Sequence, residues 1–392
     1  MLKMQNRSIL PFSGIMSYLM VAVFVWFSGI SLQAQSQIPE AVTAFNEAIA
    51  HFNAKAYEKA IISYSKAIEL DPAYTKAYYN RGNTRINLED YKGAIADYNK
   101  VINLDAKFAK AWLYKGFAEM KTGETKAALK SFNTALANDR SLDAAFLNRG
   151  VIQQKLENYE LAIDDYKEVL KLKPSQYTAM YNQGLCYYKL NQYQDAVTSF
   201  TEAINHQPAK AELYENRGKS YIKLEKFEEA IADFTAAIKN NASTAEFYYY
   251  RGYCKMQIED LGGANTDFAL ALQIQPDHDA SLTNKAMVSL QLRKYDEAIL
   301  DYSNLLKKNP KNADYFMNRG LAYLQSEGYD NAAEDFKDAI EIKPAFPEAY
   351  FNLANVLTKQ EKLAEACEAM KQASKLGYEP ANAHINVLCT EK

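Results

Sequence analysis

The sequence predicts an all-α solenoid, a stack of helical hairpins made from one repeated unit. Three observations predict it. The 392-residue chain aligns on itself at a spacing of 34 residues, giving ten units that begin at residues 41, 75, 109, 143, 177, 211, 245, 279, 313 and 347 without insertion or deletion. Position 8 of each unit is Gly or Ala, from Ala48 and Gly82 to Gly320 and Ala354, and position 20 is always Ala, from Ala60 to Ala366. An aromatic ring recurs at position 24 as Tyr64, Tyr98, Phe132, Tyr166, Phe200, Phe234, Phe268, Tyr302 and Phe336, with Met370 in the last unit. Small residues on facing helices let the backbones approach closely, and the rings fill the space between hairpins.

The first element, residues 1–34, differs from all that follows. Lys3 and Arg7 precede an apolar run densest from Leu19 to Phe27, and Leu32-Gln33-Ala34 leads into Gln35. This three-part pattern predicts a secretory signal peptide cleaved after Ala34. The alternative is an uncleaved anchor, because Ile15 to Ile30 approaches the ~20 residues that span a bilayer. The first cysteine is Cys186, so no lipid-modified cysteine lies near the cleavage point. Cleavage there leaves a net charge of -5 in place of -3, since Lys3 and Arg7 are the only charges before residue 35. Mild acidity argues against nucleic acid as a partner.

A short linker, residues 35–40, leads into the ten units of residues 41–380. Each unit reads as two amphipathic helices of roughly 14 residues. Pro72, Pro174, Pro208, Pro276, Pro310 and Pro344 at position 32 stop the second helix. After the last unit, residues 381–392 form a capping helix that begins its pattern at Glu379, with Ala381, Ile385 and Leu388 available to cover the final apolar face. Four cysteines are too few for a disulfide framework. Cys367 and Cys389, however, lie in the last hairpin and the cap, where a bridge would staple an end that has no following neighbour. Cys186 and Cys254 both fall at position 10, a buried helix position, and read as small core residues.

The quoted columns, with Tyr78, Trp112, Tyr214 or Tyr350 at position 4, resemble the tetratricopeptide repeat family across residues 41 to 380. That resemblance implies a right-handed superhelix whose first helices line a concave groove. Glu47 and His51 in the first unit and the missing proline of the last unit depart from the family pattern, as terminal units of a solenoid do. The tail from Cys367 to Cys389 also resembles the endings of exported bacterial proteins of this type, which supports the disulfide.

Position 7 carries Arg81, Lys115, Arg149, Arg217, Arg251, Lys285 and Arg319. Sixteen residues later stand Asp97, Asp165, Asp233, Asp267, Asp301 and Asp335, and each of these six acids has a basic residue at position 7 of its own unit. Lys115 alone is basic without such an acid. Pairing each Asp with the following unit fails at Gln183 and Leu353, so the expected bridges lie within hairpins. If partly buried, they fix helix register while adding little net stability. A basic ligand site at position 7 is the alternative.

In the resembled family, positions 2, 5, 6, 9 and 12 of the first helix face the groove. Here Asn fills position 6 as Asn46, Asn80, Asn148, Asn182, Asn216, Asn284, Asn318 and Asn352, interrupted by Tyr114 and Tyr250. An amide offers both donor and acceptor, the equipment for gripping a peptide backbone without reading its sequence. The column resembles asparagine ladders that hold peptides in other arrays of the family, although Asn is common at this position. Beside it, Phe45, Phe52, Tyr79, Phe117, Met120, Tyr181, Tyr188, Tyr249, Tyr253, Met256 and Phe351 make an apolar and aromatic lining. Lys121, Lys155, Lys189 and Lys223 at position 13 sit in the last turn, where a cation complements the helix dipole.

His51, His206, His278 and His384 are scattered with no metal-ligand spacing and no triad, and Gly218-Lys219-Ser220 lacks the glycine a phosphate loop needs at Leu213. The expectation is a non-enzymatic scaffold without cofactor or metal. Its partners would be proteins or peptides of the cell envelope, and it would contact membrane only through an uncleaved signal. The periplasm is the first expectation for its location, with an anchored or extracellular protein as alternatives. Glycan or peptidoglycan recognition by the same groove is the alternative function.

Overall fold

The computed structural model describes residues 36–389, so the export signal expected over 1–34 lies outside the described residues. Among the described residues there are 21 helices and no strand. They fall into two compact units divided between Lys173 and Pro174. The first unit holds four hairpins: α1 (Pro39–Asn53) with α2 (Tyr57–Leu70), α3 (Thr75–Asn87) with α4 (Tyr91–Leu104), α5 (Ala109–Lys121) with α6 (Thr125–Asn138), and α7 (Asp143–Lys155) with α8 (Tyr159–Leu172). The second holds six: α9 (Tyr177–Lys189) with α10 (Tyr193–His206), α11 (Ala211–Lys223) with α12 (Phe227–Asn240), α13 (Ala245–Gln257) with α14 (Leu261–Ile274), α15 (Asp279–Gln291) with α16 (Tyr295–Lys308), α17 (Ala313–Gln325) with α18 (Tyr329–Ile342), and α19 (Pro347–Lys359) with α20 (Leu363–Lys375). A last helix, α21 (Glu379–Leu388), packs on α20.

Each hairpin turns at position 15 through one left-handed residue. Nine of these are not glycine: Lys55, Glu89, Glu157, Asn191, Glu225, Glu259, Arg293, Glu327 and Glu361 have φ from 57° to 64°, and Gly123 serves the third hairpin. The conformation is held by the bonding of the helix end. Glu225 N–H donates to Ile222 O at 3.1 Å and Lys226 N–H reaches back to Tyr221 O at 2.9 Å, the pair of bonds that defines a Schellman turn. Between hairpins the chain closes with side-chain turns, as where Asp71, Asp105 and Asp139 accept from the N–H two residues on.

Inside a hairpin the position-24 ring lies against the position-8 residue of the same unit. A Cβ added to Gly184 would sit 2.7 Å from Phe200, and on Gly82 or Gly320 it would sit 2.8 Å from Tyr98 or Phe336. The glycine thus makes room for a ring that is wholly buried, each such ring contributing on the order of 2–3 kcal/mol of apolar burial. The rings meet the next hairpin as well: Phe234 stacks on Tyr250 at 5.3 Å and Tyr98 on Tyr114 at 6.3 Å.

Successive first helices touch one another, α3 with α5 and α5 with α7 in the first unit, and α9 with α11, α11 with α13, α13 with α15 and α17 with α19 in the second. The second helices make no comparable contact among themselves. Within each unit the first helices are therefore the inner row.

Candidate binding face

The position-7 cations are held in a module that recurs along both units. Arg81, Arg149, Arg217, Arg251 and Arg319 each grip the aspartate sixteen residues on through Nε and Nη2, with Nη2 contacts of 2.6–2.7 Å to Asp97, Asp165, Asp233, Asp267 and Asp335. Lys285 reaches Asp301 at 2.6 Å. Each guanidinium also lies 5.5–5.8 Å over the ring three residues earlier, Tyr78, Phe146, Tyr214, Tyr248 or Phe316. Its Nη1 donates backward to the preceding hairpin, to Ser65, Asn133, Thr201, Thr235 or Ser303. One arginine therefore fastens its own hairpin and the one before it. Burial pushes the Asp165, Asp233, Asp301 and Asp335 carboxyls up, against the pull of the bonded cation.

Two parts of this module escaped sequence reasoning. Lys115 does have an acid: buried Glu119 on its own helix lies 3.5 Å away and accepts from Ser131 at 2.6 Å, so a carboxylate from position 11 replaces the one missing at position 23. Position 11 also adds second cations, Arg85 to Asp97 at 2.8 Å and Lys255 to Asp267 at 2.9 Å. The signal for the backward bond was present, because every position-7 arginine follows a hydroxyl or amide sixteen residues earlier, whereas Lys167 and Lys337 precede the non-basic Gln183 and Leu353.

On the inner row the asparagines divide by exposure. Asn80, Asn148 and Asn182 are buried, at 9%, 3% and 8%, whereas Asn216, Asn284, Asn318 and Asn352 are half-buried and Asn46 is exposed. Asn148, Asn216 and Asn352 donate to the carbonyl four residues back, at Ala144, Glu212 and Glu348. Tyr114 and Tyr250, which interrupt the column, turn into the seam and stack on rings of the preceding hairpin. The longest uninterrupted run within one unit is Asn284, Asn318 and Asn352.

The aromatic lining is partly consumed by the seams between hairpins. Tyr79 packs against Tyr98, Phe108 and Tyr114, Tyr249 against Tyr250, Phe268 and His278, and Tyr181 against Phe200. Burial pushes the Tyr249 and Tyr250 hydroxyls up to about 12. Phe117, Tyr188 and Tyr253 stay half-buried at the face. Phe351 packs on Tyr378 and His384 beneath the cap.

At the C-terminal end Cys367 and Cys389 are joined by a disulfide, with their Cα atoms 5.2 Å apart. The bridge holds α21 against a core where Ala381 is wholly buried and Ile385 and Leu388 pack on the cluster containing Met370. Cys186 and Cys254 are buried, and burial pushes their thiols up to about 12. Among the described residues, no group of three or more His, Cys, Asp or Glu is placed to hold a metal, and no helix is long and apolar enough to cross a membrane.

Tetratricopeptide repeat models match residues 215–279, 283–345 and 320–380, a second model of that repeat matches 75–108 and 144–176, and a third, described as a TPR repeat, matches 50–88 and 184–225. The chain belongs to the tetratricopeptide repeat family. Among solved structures it resembles the C-terminal part of a tetratricopeptide repeat-containing protein from Cytophaga hutchinsonii, at 19% identity and a TM-score of 0.54, covering 61% of this chain and 98% of that one. A tetratricopeptide repeat protein from Parabacteroides merdae matches at 20% identity and a TM-score of 0.45 over 64% of this chain and 98% of that one. YrrB, described as a tetratricopeptide repeat protein with an unusual peptide-binding site, matches at 23% and 0.43 over 57% and 97%. At these identities the likeness is one of fold. No curated protein matches the chain. The repeats support a protein–protein interaction scaffold.

Proposed function

We propose that this tetratricopeptide repeat protein is an exported scaffold of the bacterial cell envelope that binds extended protein segments along its inner helices. The observation that carries the reading is the run Asn284, Asn318 and Asn352, three half-buried amides on successive first helices of one unit, with half-buried Met287, Leu290, Leu321 and Leu324 at positions 9 and 12 of α15 and α17. An amide column can serve a peptide backbone as both donor and acceptor, and the neighbouring apolar side chains supply non-directional contact area. Export rests on the pattern of residues 1–34.

A photo-crosslinking residue at Leu321 is expected to give protein adducts in the envelope fraction, and Asn284→Ala/Asn318→Ala/Asn352→Ala is expected to reduce them severalfold. Adduct yield unchanged by the triple substitution would remove the amide column from the reading. The mature N-terminus in the same fraction is expected at Gln35; a chain still beginning at Met1 would replace cleavage with anchoring.

A further inference from the structure

Within that reading, the charge along the inner row specifies the partner. In the second unit, four of the six first helices carry an acid at position 2, Glu212, Glu246, Asp314 and Glu348, beside Thr178 and Ala280, and Glu215 stands at position 5. In the first unit the same edge has Val42, Lys76, Lys110 and Ala144, and no acid. Acids in a helix's first turn complement its dipole, as Glu40 and Asp143 do on α1 and α7, but no first helix of the first unit places an acid at position 2, and α3 and α5 carry lysines there. Glu246 and Asp314 are exposed, and among the described residues neither they nor Glu348 forms an ion pair; Glu212 meets only Lys210, at 3.7 Å.

The seam beside this row already seats an ammonium group. Lys219 Nζ lies 4.9 Å over the Tyr250 ring and 2.5 Å from Glu215, so a carboxylate beside a tyrosine face on this row accommodates a cation. Glu246 stands on the helix that supplies Tyr250 and Tyr253, with its carboxylate uncommitted.

We infer that the inner face of the second unit receives an extended protein segment bearing basic side chains, its cations meeting Glu212, Glu246, Asp314 and Glu348. Packed helices stand ~8–10 Å apart and an extended chain advances ~3.3 Å per residue, so one first helix corresponds to about three residues of the segment. The acids lie on α11, α13, α17 and α19, which places the cations at roughly the first, fourth, tenth and thirteenth residues of the segment.

The test uses the full mature chain and three fluorescein-labelled sixteen-residue peptides, identical except for Lys, Gln or Glu at those four places. Fluorescence anisotropy is expected to give the Lys peptide a Kd about tenfold below that of the Gln peptide, with the Glu peptide weakest and the advantage shrinking as salt rises. Glu212→Gln/Glu246→Gln/Asp314→Asn/Glu348→Gln, checked for unchanged helicity and melting, is expected to lose the Lys preference while still binding the Gln peptide. Equal binding of all three peptides, or a Lys preference that survives the quadruple variant, overturns the charge assignment and leaves the groove reading intact. Binding of none of them overturns the groove reading itself.

Discussion

Arg217 shows how much one side chain does in this chain. It grips Asp233, lies over Tyr214 and donates to Thr201 of the preceding hairpin. Removing one partner of such a pair leaves the other charge without its counter-ion in a largely buried seam, which costs more than the pair itself contributes. Asp233→Leu alone is therefore expected to lower unfolding stability by about 3 kcal/mol, and Arg217→Met/Asp233→Leu to recover a large part of that loss. Urea unfolding followed by circular dichroism decides it; a double variant as unstable as the two single variants summed would mean that Arg217 and Asp233 are not coupled. Gly184 makes a different residue-scale point. With Phe200 2.7 Å from where a Cβ would stand, Gly184→Val is expected to cost about 1–3 kcal/mol through overpacking, measured in the same way.

At the scale of the element, the ends of the helices matter most. Nine hairpin turns place a non-glycine residue in the left-handed region, and the Schellman bonds hold it there. A β-branched side chain tolerates that region poorly, so Glu225→Val is expected to destabilise by roughly 1–2 kcal/mol, whereas Glu225→Asn is expected to be nearly silent. Thermal melts of the two variants separate the outcomes, and equal melting temperatures would remove the backbone argument. The terminal helix depends on its bridge. With Cys367 and Cys389 separated by 22 positions, Cys389→Ser is expected to cost roughly 3 kcal/mol in the chain-entropy picture. Hydrogen exchange should report the loss in α19 to α21 and leave α9 to α11 protected, because each repeat in a solenoid contacts only its neighbours.

At the scale of the whole molecule, that nearest-neighbour rule makes stability a property of position along the chain. Cys186 and Cys254 are internal reporters, since both thiols are buried and pushed up to about 12, and neither is expected to react with iodoacetamide near neutral pH in the folded protein. In urea, Gly184→Val is expected to bring Cys186 labelling to lower denaturant than Cys254 labelling. Identical shifts at the two cysteines would show that the second unit opens as one block.

The sequence by itself determined the repeat, its ten-fold count, the hairpin within each unit and the partners of six aspartates, because each follows from residue type recurring at a fixed spacing. It also marked the two cysteines that close the terminal helix. Tertiary structure decided what those columns are for. Tyr114 and Tyr250 interrupt an asparagine column in the sequence, yet both rings enter a seam, since apolar area is worth more against Tyr98 or Phe234 than in water. Asn148 and Asn284 occupy equivalent positions, yet the first is buried and the second only half-buried. Glu119 stands four residues after Lys115 on α5, a pair that spacing alone allows, but only the packed hairpin buries its carboxylate and bonds it to Ser131. Periodicity fixes which face of a helix a residue occupies; which neighbour then covers that face depends on contacts between hairpins that no single repeat contains.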